Sequence, residues 1–108
     1  METFLREHSG ARKVETRLAQ LLNQLAWNMV TAAPDSPVRD LATGLRHALR
    51  CVQLDPQPGN ADTLAEAYMA AGDLDNAEKV CRKMLTEHPG EHMFQDRLDH
   101  IAAQRRAR

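Results

Sequence analysis

The feature that most constrains this chain is the way prolines and glycines divide its apolar residues into helical segments. Between the breaks, apolar residues recur at steps of three and four positions, which places them on one face of an α-helix. Proline lacks the N–H that a helix interior requires, and glycine favours helix ends, so each cluster separates two helices. The clusters are Pro34-Asp35-Ser36-Pro37, Asp55-Pro56-Gln57-Pro58-Gly59, Gly72-Asp73 and His88-Pro89-Gly90.

The segments between these clusters predict five helices. Four of them have expected ranges of about 11–32, 38–53, 74–87 and from 91 onward, and the third lies between Pro58-Gly59 and Gly72. Asn60 or Asp62 is available to cap the third helix. Gly72 can end that helix in the left-handed conformation, and Asp73 can cap the fourth. Aromatic residues make up only 4% of the 108 residues, and runs of β-branched residues are few, so we expect a single all-α domain.

Charge and hydropathy exclude two classes of partner. The formal net charge of −1 argues against general nucleic-acid binding, which depends on an excess of cations. The basic ending Arg105-Arg106-Ala107-Arg108 is typical of a solvated helix end. No apolar run reaches the roughly 18 residues needed to cross a membrane, and the first ten residues lack an apolar stretch suited to export. The sequence therefore predicts no membrane insertion and a cytoplasmic location.

Residues that could carry catalysis or hold a metal are few and poorly spaced. Cys51 and Cys81 lie 30 positions apart on predicted apolar faces, which favours buried free thiols over a disulfide or a redox pair. His88 and His92 are separated by a Pro-Gly pair, so they cannot share a helix face as zinc-binding histidines do. No phosphate-binding glycine loop or nucleophile motif is present. We expect the protein not to be an enzyme and to use no metal or other cofactor.

Two parts of the chain are similar to each other. The matching residues are Leu25-Ala26 with Met29 in the first part and Leu64-Ala65 with Tyr68 in the second. Pro56 and Pro89, which close the two predicted hairpins, lie 33 positions apart, close to the roughly 34-residue tetratricopeptide period. The opening leucines lie 39 positions apart. An enlarged loop at residues 32–39, where the second hairpin has only Gly72-Asp73, accounts for this excess.

At these residues the chain resembles the tetratricopeptide repeat family. The second unit matches the family's large, small, aromatic, turn and terminating positions at Leu64, Ala65, Tyr68, Gly72, Asp73, Ala77 and Pro89. Leu25-Ala26-Trp27 and the long loop resemble a bacterial variant. The resemblance implies a right-handed helical-repeat array of two helix-turn-helix hairpins and a capping helix. Its expected parts are an N-terminal extension (1–21), a first repeat (22–56), a second repeat (57–90) and a capping helix with a basic tail (91–108).

The resemblance also implies a protein–protein interaction module that binds a peptide or partner protein in a concave groove and acts as a scaffold or adaptor. Carried over by position, the partner-binding residues are Asn23, Trp27, Asp62, Glu66, Met69, Asp96 and His100. This groove would be mildly acidic, which favours a basic or amphipathic peptide. The alternative for the charged residues is an ordinary solvated helix face. For Trp27, packing beneath the 32–39 loop or against the N-terminal segment is favoured over a place in the groove.

A second hypothesis is homo-oligomerisation as an element of a larger assembly. The first helix carries apolar residues ahead of the first repeat, namely Val14, Leu18, Leu21 and Leu22. Two repeat units also fall short of the roughly three that such arrays usually need. Both features leave apolar surface uncovered, so a homodimer is the alternative expectation.

Overall fold

A computed structural model describes residues 2–107, with side chains from Lys13 onward. This part of the chain is all-helical and contains no strand, which confirms the all-α part of the predicted fold class. The five helices are α1 (Glu2–Thr31), α2 (Leu41–Leu54), α3 (Pro58–Ala70), α4 (Leu74–Glu87) and α5 (His92–Arg106). Among residues 2–107, no helix combines the length and the apolar character that crossing a bilayer requires.

The first helix is longer than its periodicity predicted, because it begins at Glu2 and not near Ala11. An isolated glycine, such as the one at position 10, costs a helix only about 1 kcal/mol relative to alanine, which is too little to end it. With 30 residues, α1 is roughly 45 Å long. The other helices have only 13 to 15 residues. The long first helix helps to explain the principal extents of 57 × 36 × 17 Å.

Hydrogen bonds close the long loop between α1 and α2. Arg39 Nη1 donates to the carbonyl of Ala32 at 2.7 Å, just beyond the end of α1. The second helix begins at Leu41, three residues later than predicted. The reason is Asp40, which takes the N-cap position and accepts a hydrogen bond from the backbone N–H of Thr43 at 3.0 Å.

The first two helices approach each other most closely at Gly44. A methyl group added to Gly44 would lie 2.7 Å from Cγ1 of Val30 and 3.2 Å from Cβ of Met29. Nearer the other end of α2, the thiol of Cys51 donates to the carbonyl of Ala19 at 3.1 Å. As α2 runs from Gly44 to Cys51, its contacts on α1 move from Val30 back to Ala19. The two helices are therefore antiparallel, and α2 covers this part of α1.

A tight hairpin joins α3 to α4, as the sequence predicted. Gly72 has a φ of 81°, the left-handed conformation that glycine adopts without strain. Asp73 is the N-cap of α4 and accepts from the N–H of Asn76 at 3.2 Å. Both turn predictions are therefore confirmed.

The predicted cap of α3 is wrong. This helix begins at Pro58, and Gln57 takes the N-cap position. Proline suits the first helical position because the missing N–H has no helical partner there. The buried Asn60 side chain donates instead to the carbonyl of Asp55 at 2.8 Å, which fastens the start of α3 to the end of α2.

Two apolar clusters hold the helices together. The first contains Ala26, Val30, Ala48, Leu64 and Ala67 from α1, α2 and α3. The second contains Ala61, Ala65, Leu74, Ala77, Cys81, Met84, Phe94 and Ile101 from α3, α4 and α5. Tyr68 and Val80 pack against both clusters, which makes the core continuous. Each helix contacts the next one in the chain, and α3 also contacts α1 and α5, so α3 is central.

Candidate functional site

A cavity of about 300 Å³ lies between α3 and α5. Its lining residues are Glu66, Met69, Ala70, Asp96, Arg97, His100 and Gln104. Four of the predicted partner-binding residues are therefore brought together: Glu66, Met69, Asp96 and His100. Their convergence follows from helical spacing, since residues three or four positions apart lie on one helix face.

Arg97 joins the two walls of this cavity. Its Nε donates to Oδ1 of Asp62 and its Nη1 donates to Oε2 of Glu66, each at 2.5 Å. Nη1 also lies 3.6 Å from the sulfur of Met69. Asp62 is thereby connected to the site although it does not line the cavity. Phe94 and Ile101, both fully buried, fix the face of α5 from which Arg97 projects.

The ion pairs between Arg97 and the two carboxylates make the groove less acidic than the sequence predicted. Burial opposes the charge of the guanidinium, but its hydrogen bonds to Asp62 and Glu66 outweigh burial and raise the pKa of Arg97 above its ordinary value. Arg97 is therefore charged throughout the physiological pH range. Asp62 and Glu66 are balanced in part by a cation of the same chain, whereas the neighbouring Asp96 is exposed.

A second arginine fastens the far end of α5 to α4. Arg105 Nη2 donates to Oδ1 of Asp75 at 2.6 Å, and Nη1 donates to Oε1 of Glu78 at 3.0 Å. Glu78 also accepts two hydrogen bonds from Arg82, at 3.1 and 2.8 Å. The last helix is thus held by two buried apolar anchors and by ion pairs to two different helices, which fixes one wall of the cavity.

The two remaining predicted residues, Asn23 and Trp27, lie on α1 and do not line this cavity. Trp27 keeps 39% of its surface exposed. Oδ1 of Asn23 is buried and has no hydrogen-bond partner. Among the described side chains, no other buried nitrogen or oxygen lacks one. α1 contacts α3, so both residues belong to a helix next to the cavity wall.

Sequence reasoning missed Arg97 and Gln104. The prediction considered only positions 96 and 100 of the last helix and described the groove as mildly acidic. A signal was available, because Arg97 lies three positions after Phe94 and four before Ile101, on the apolar face of α5. A charged residue on such a face needs a partner, and Asp62 and Glu66 are that partner.

The described side chains that line the cavity include no cysteine, serine, threonine or lysine. Across the described part of the chain, no three His, Cys, Asp or Glu side chains are grouped so that they could hold a metal ion. Cys51 and Cys81 are buried and free, as predicted. Burial raises the pKa of each thiol to about 11, so both are protonated at neutral pH and are poor nucleophiles.

Comparison with protein-family models, with curated proteins and with solved structures found no match to this chain. The likeness to tetratricopeptide repeats therefore depends on the residue pattern alone.

Proposed function

We propose that the chain is a protein–protein interaction module, organised like a short tetratricopeptide array, that binds a segment of a partner protein between α3 and α5. In this role it acts as a scaffold or adaptor. The observation that carries the proposal is the cavity where Glu66, Met69, Asp96 and His100 converge. The resemblance to tetratricopeptide repeats assigns the same four residues to a concave groove.

The lining of the cavity favours a long basic side chain on the ligand. Met69 and Ala70 supply apolar surface, and Asp96 supplies an exposed carboxylate. A lysine or arginine of the ligand can lay its methylene groups against Met69 and place its cation near Asp96. The volume of about 300 Å³ is at the lower end of the range for small-molecule pockets, about 300–1,000 Å³, and suits individual side chains of a peptide.

Selection of peptides from a random library, followed by calorimetric titration, tests this function. Peptides enriched by the wild-type chain should carry a Lys or Arg beside apolar residues. Asp96→Lys should weaken their binding by about tenfold, because it replaces attraction with repulsion at the ligand cation. Asp99→Lys is the matched control, since it makes the same charge change on α5 but at a position that does not line the cavity.

Equal loss of affinity in Asp96→Lys and Asp99→Lys would contradict a specific role for this cavity, and so would enrichment of acidic peptides. Substitutions of Asp62 and Glu66 are less suitable. Replacing both by arginine would remove the partners of Arg97 and place three cations together, so an effect on folding would be confused with an effect on binding.

A further inference from the structure

From Lys13 onward, the first helix carries two separate apolar faces, and only one of them packs against the rest of the described side chains. Ala19, Ala26 and Val30 are buried against the neighbouring helices. The second face consists of Val14, Leu18, Leu21 and Leu25, which are 66%, 39%, 64% and 46% exposed. We refer to these four residues as the α1 stripe. Exposed apolar patches that are contiguous in this way usually mark an interaction surface.

The spacing within the α1 stripe is the spacing of a coiled coil. Its members are separated by four, three and four positions, so they alternate between the two core positions of a heptad. At 100° per residue, the centre of the stripe lies roughly 130° around the helix from the buried face of Ala19, Ala26 and Val30. A helix that packs along the stripe therefore approaches from the side away from the body of the molecule.

We propose that the α1 stripe pairs with the α1 stripe of a second copy of this chain, in parallel about a two-fold axis. The heptad pattern is complementary to itself, because each leucine can pack into the space between equivalent residues of the other copy. A net charge of −1 gives little repulsion between copies. This interface is separate from the cavity between α3 and α5 and does not depend on what that cavity binds.

Charges beside the stripe favour the parallel orientation. Arg17 and Glu15, both exposed, lie on opposite edges of the stripe. A parallel pair places the Arg17 edge of one copy against the Glu15 edge of the other, so opposite charges share a seam. An antiparallel pair places the two arginine-bearing edges together and the two glutamate-bearing edges together, so neither seam combines opposite charges.

Sedimentation equilibrium tests the pairing. The wild-type chain should show a mass that rises with concentration from 12.1 kDa toward twice that value across the micromolar range. Leu18→Lys combined with Leu21→Lys should remain at 12.1 kDa throughout, because charges in the seam repel. The control is Gln20→Lys combined with Gln53→Lys, which adds the same charge at exposed positions outside the stripe and should preserve the dimer. Circular dichroism checks that each variant is folded, and Leu21→Lys alone serves if the double variant is not.

Disulfide trapping tests whether the α1 stripe forms the seam. Leu21→Cys places equivalent thiols in one layer of a parallel pair, whereas Gln20→Cys places its thiol roughly 130° around the helix from the stripe. The native thiols are buried, so the introduced cysteine dominates oxidation. Leu21→Cys should form covalent dimer at least about tenfold faster than Gln20→Cys, because pairing raises the effective concentration of its thiols.

Three results would overturn the proposal. They are a wild-type chain that stays monomeric across the micromolar range, a dimer that survives the lysine substitutions in the stripe, and equal trapping at positions 20 and 21. A monomeric wild-type chain would mean that the α1 stripe binds something else, such as a helix of a different protein. The second would place the dimer interface elsewhere.

Discussion

At the scale of single residues, Gly44 determines how closely α1 and α2 pack. Gly44→Ala should lower the free energy of unfolding by about 1–2 kcal/mol in urea denaturation, since overpacking outweighs the roughly 1 kcal/mol by which alanine favours a helix. The nearest atom, 2.7 Å from the added methyl group, belongs to Val30, whose buried β-branched side chain cannot rotate away easily. Gly59→Ala is the control, because nothing lies within 4 Å of its added methyl group. Equal effects of the two substitutions would contradict the close approach.

Residue size also explains why the sequence identified the exposed face of α1 only in part: Val14, Leu18 and Leu21 were expected to be uncovered, whereas Leu25 was assigned to the first repeat. The residues of both faces recur at separations that keep them on one side of a helix, and the larger side chains are on the exposed face. Hydropathy alone selects Leu18, Leu21 and Leu25 for the core. The structure buries Ala19 and Ala26 instead, because small residues let neighbouring helices approach closely.

At the scale of elements, α5 depends on Arg97 for its position against α3. Arg97→Met should lower the free energy of unfolding by about 2 kcal/mol, because it leaves Asp62 and Glu66 partly buried without their cation. Adding Asp62→Asn and Glu66→Gln to Arg97→Met should recover much of that loss, since no unpaired charge remains. Urea denaturation measures both effects. A triple variant less stable than Arg97→Met would show that charge pairing is not the cause.

Elements whose ends depend on local chemistry were the most predictable. The fourth helix has its predicted bounds, 74 and 87, because Asp73 caps one end and a His-Pro-Gly sequence follows the other. The start of α3 was mispredicted because Asn60 makes a tertiary bond to Asp55 in place of a cap. Arg97 was missed for a related reason, since its partner Asp62 lies 35 positions away and no periodicity reports contacts at that separation.

At the scale of the whole molecule, α3 connects the two apolar clusters and also forms one wall of the cavity. The proposed partner site and the proposed dimer interface lie on different helices, so one copy can bind a ligand while α1 pairs with another. A chain organised in this way would present two cavities in each dimer. Such a dimer favours partners with repeated basic segments, because a second contact made within one complex raises the overall affinity.

Methyl NMR of the methionines tests the central claim, that a partner segment binds between α3 and α5, most directly. Met69 lines the cavity, whereas Met84 is buried in the core and Met29 lies on α1. Titration with a library-selected peptide should shift the methyl resonance of Met69 more than those of Met29 and Met84, with Met69→Leu providing the assignment. A saturating peptide that leaves Met69 unchanged while it shifts Met29 would contradict the proposed site.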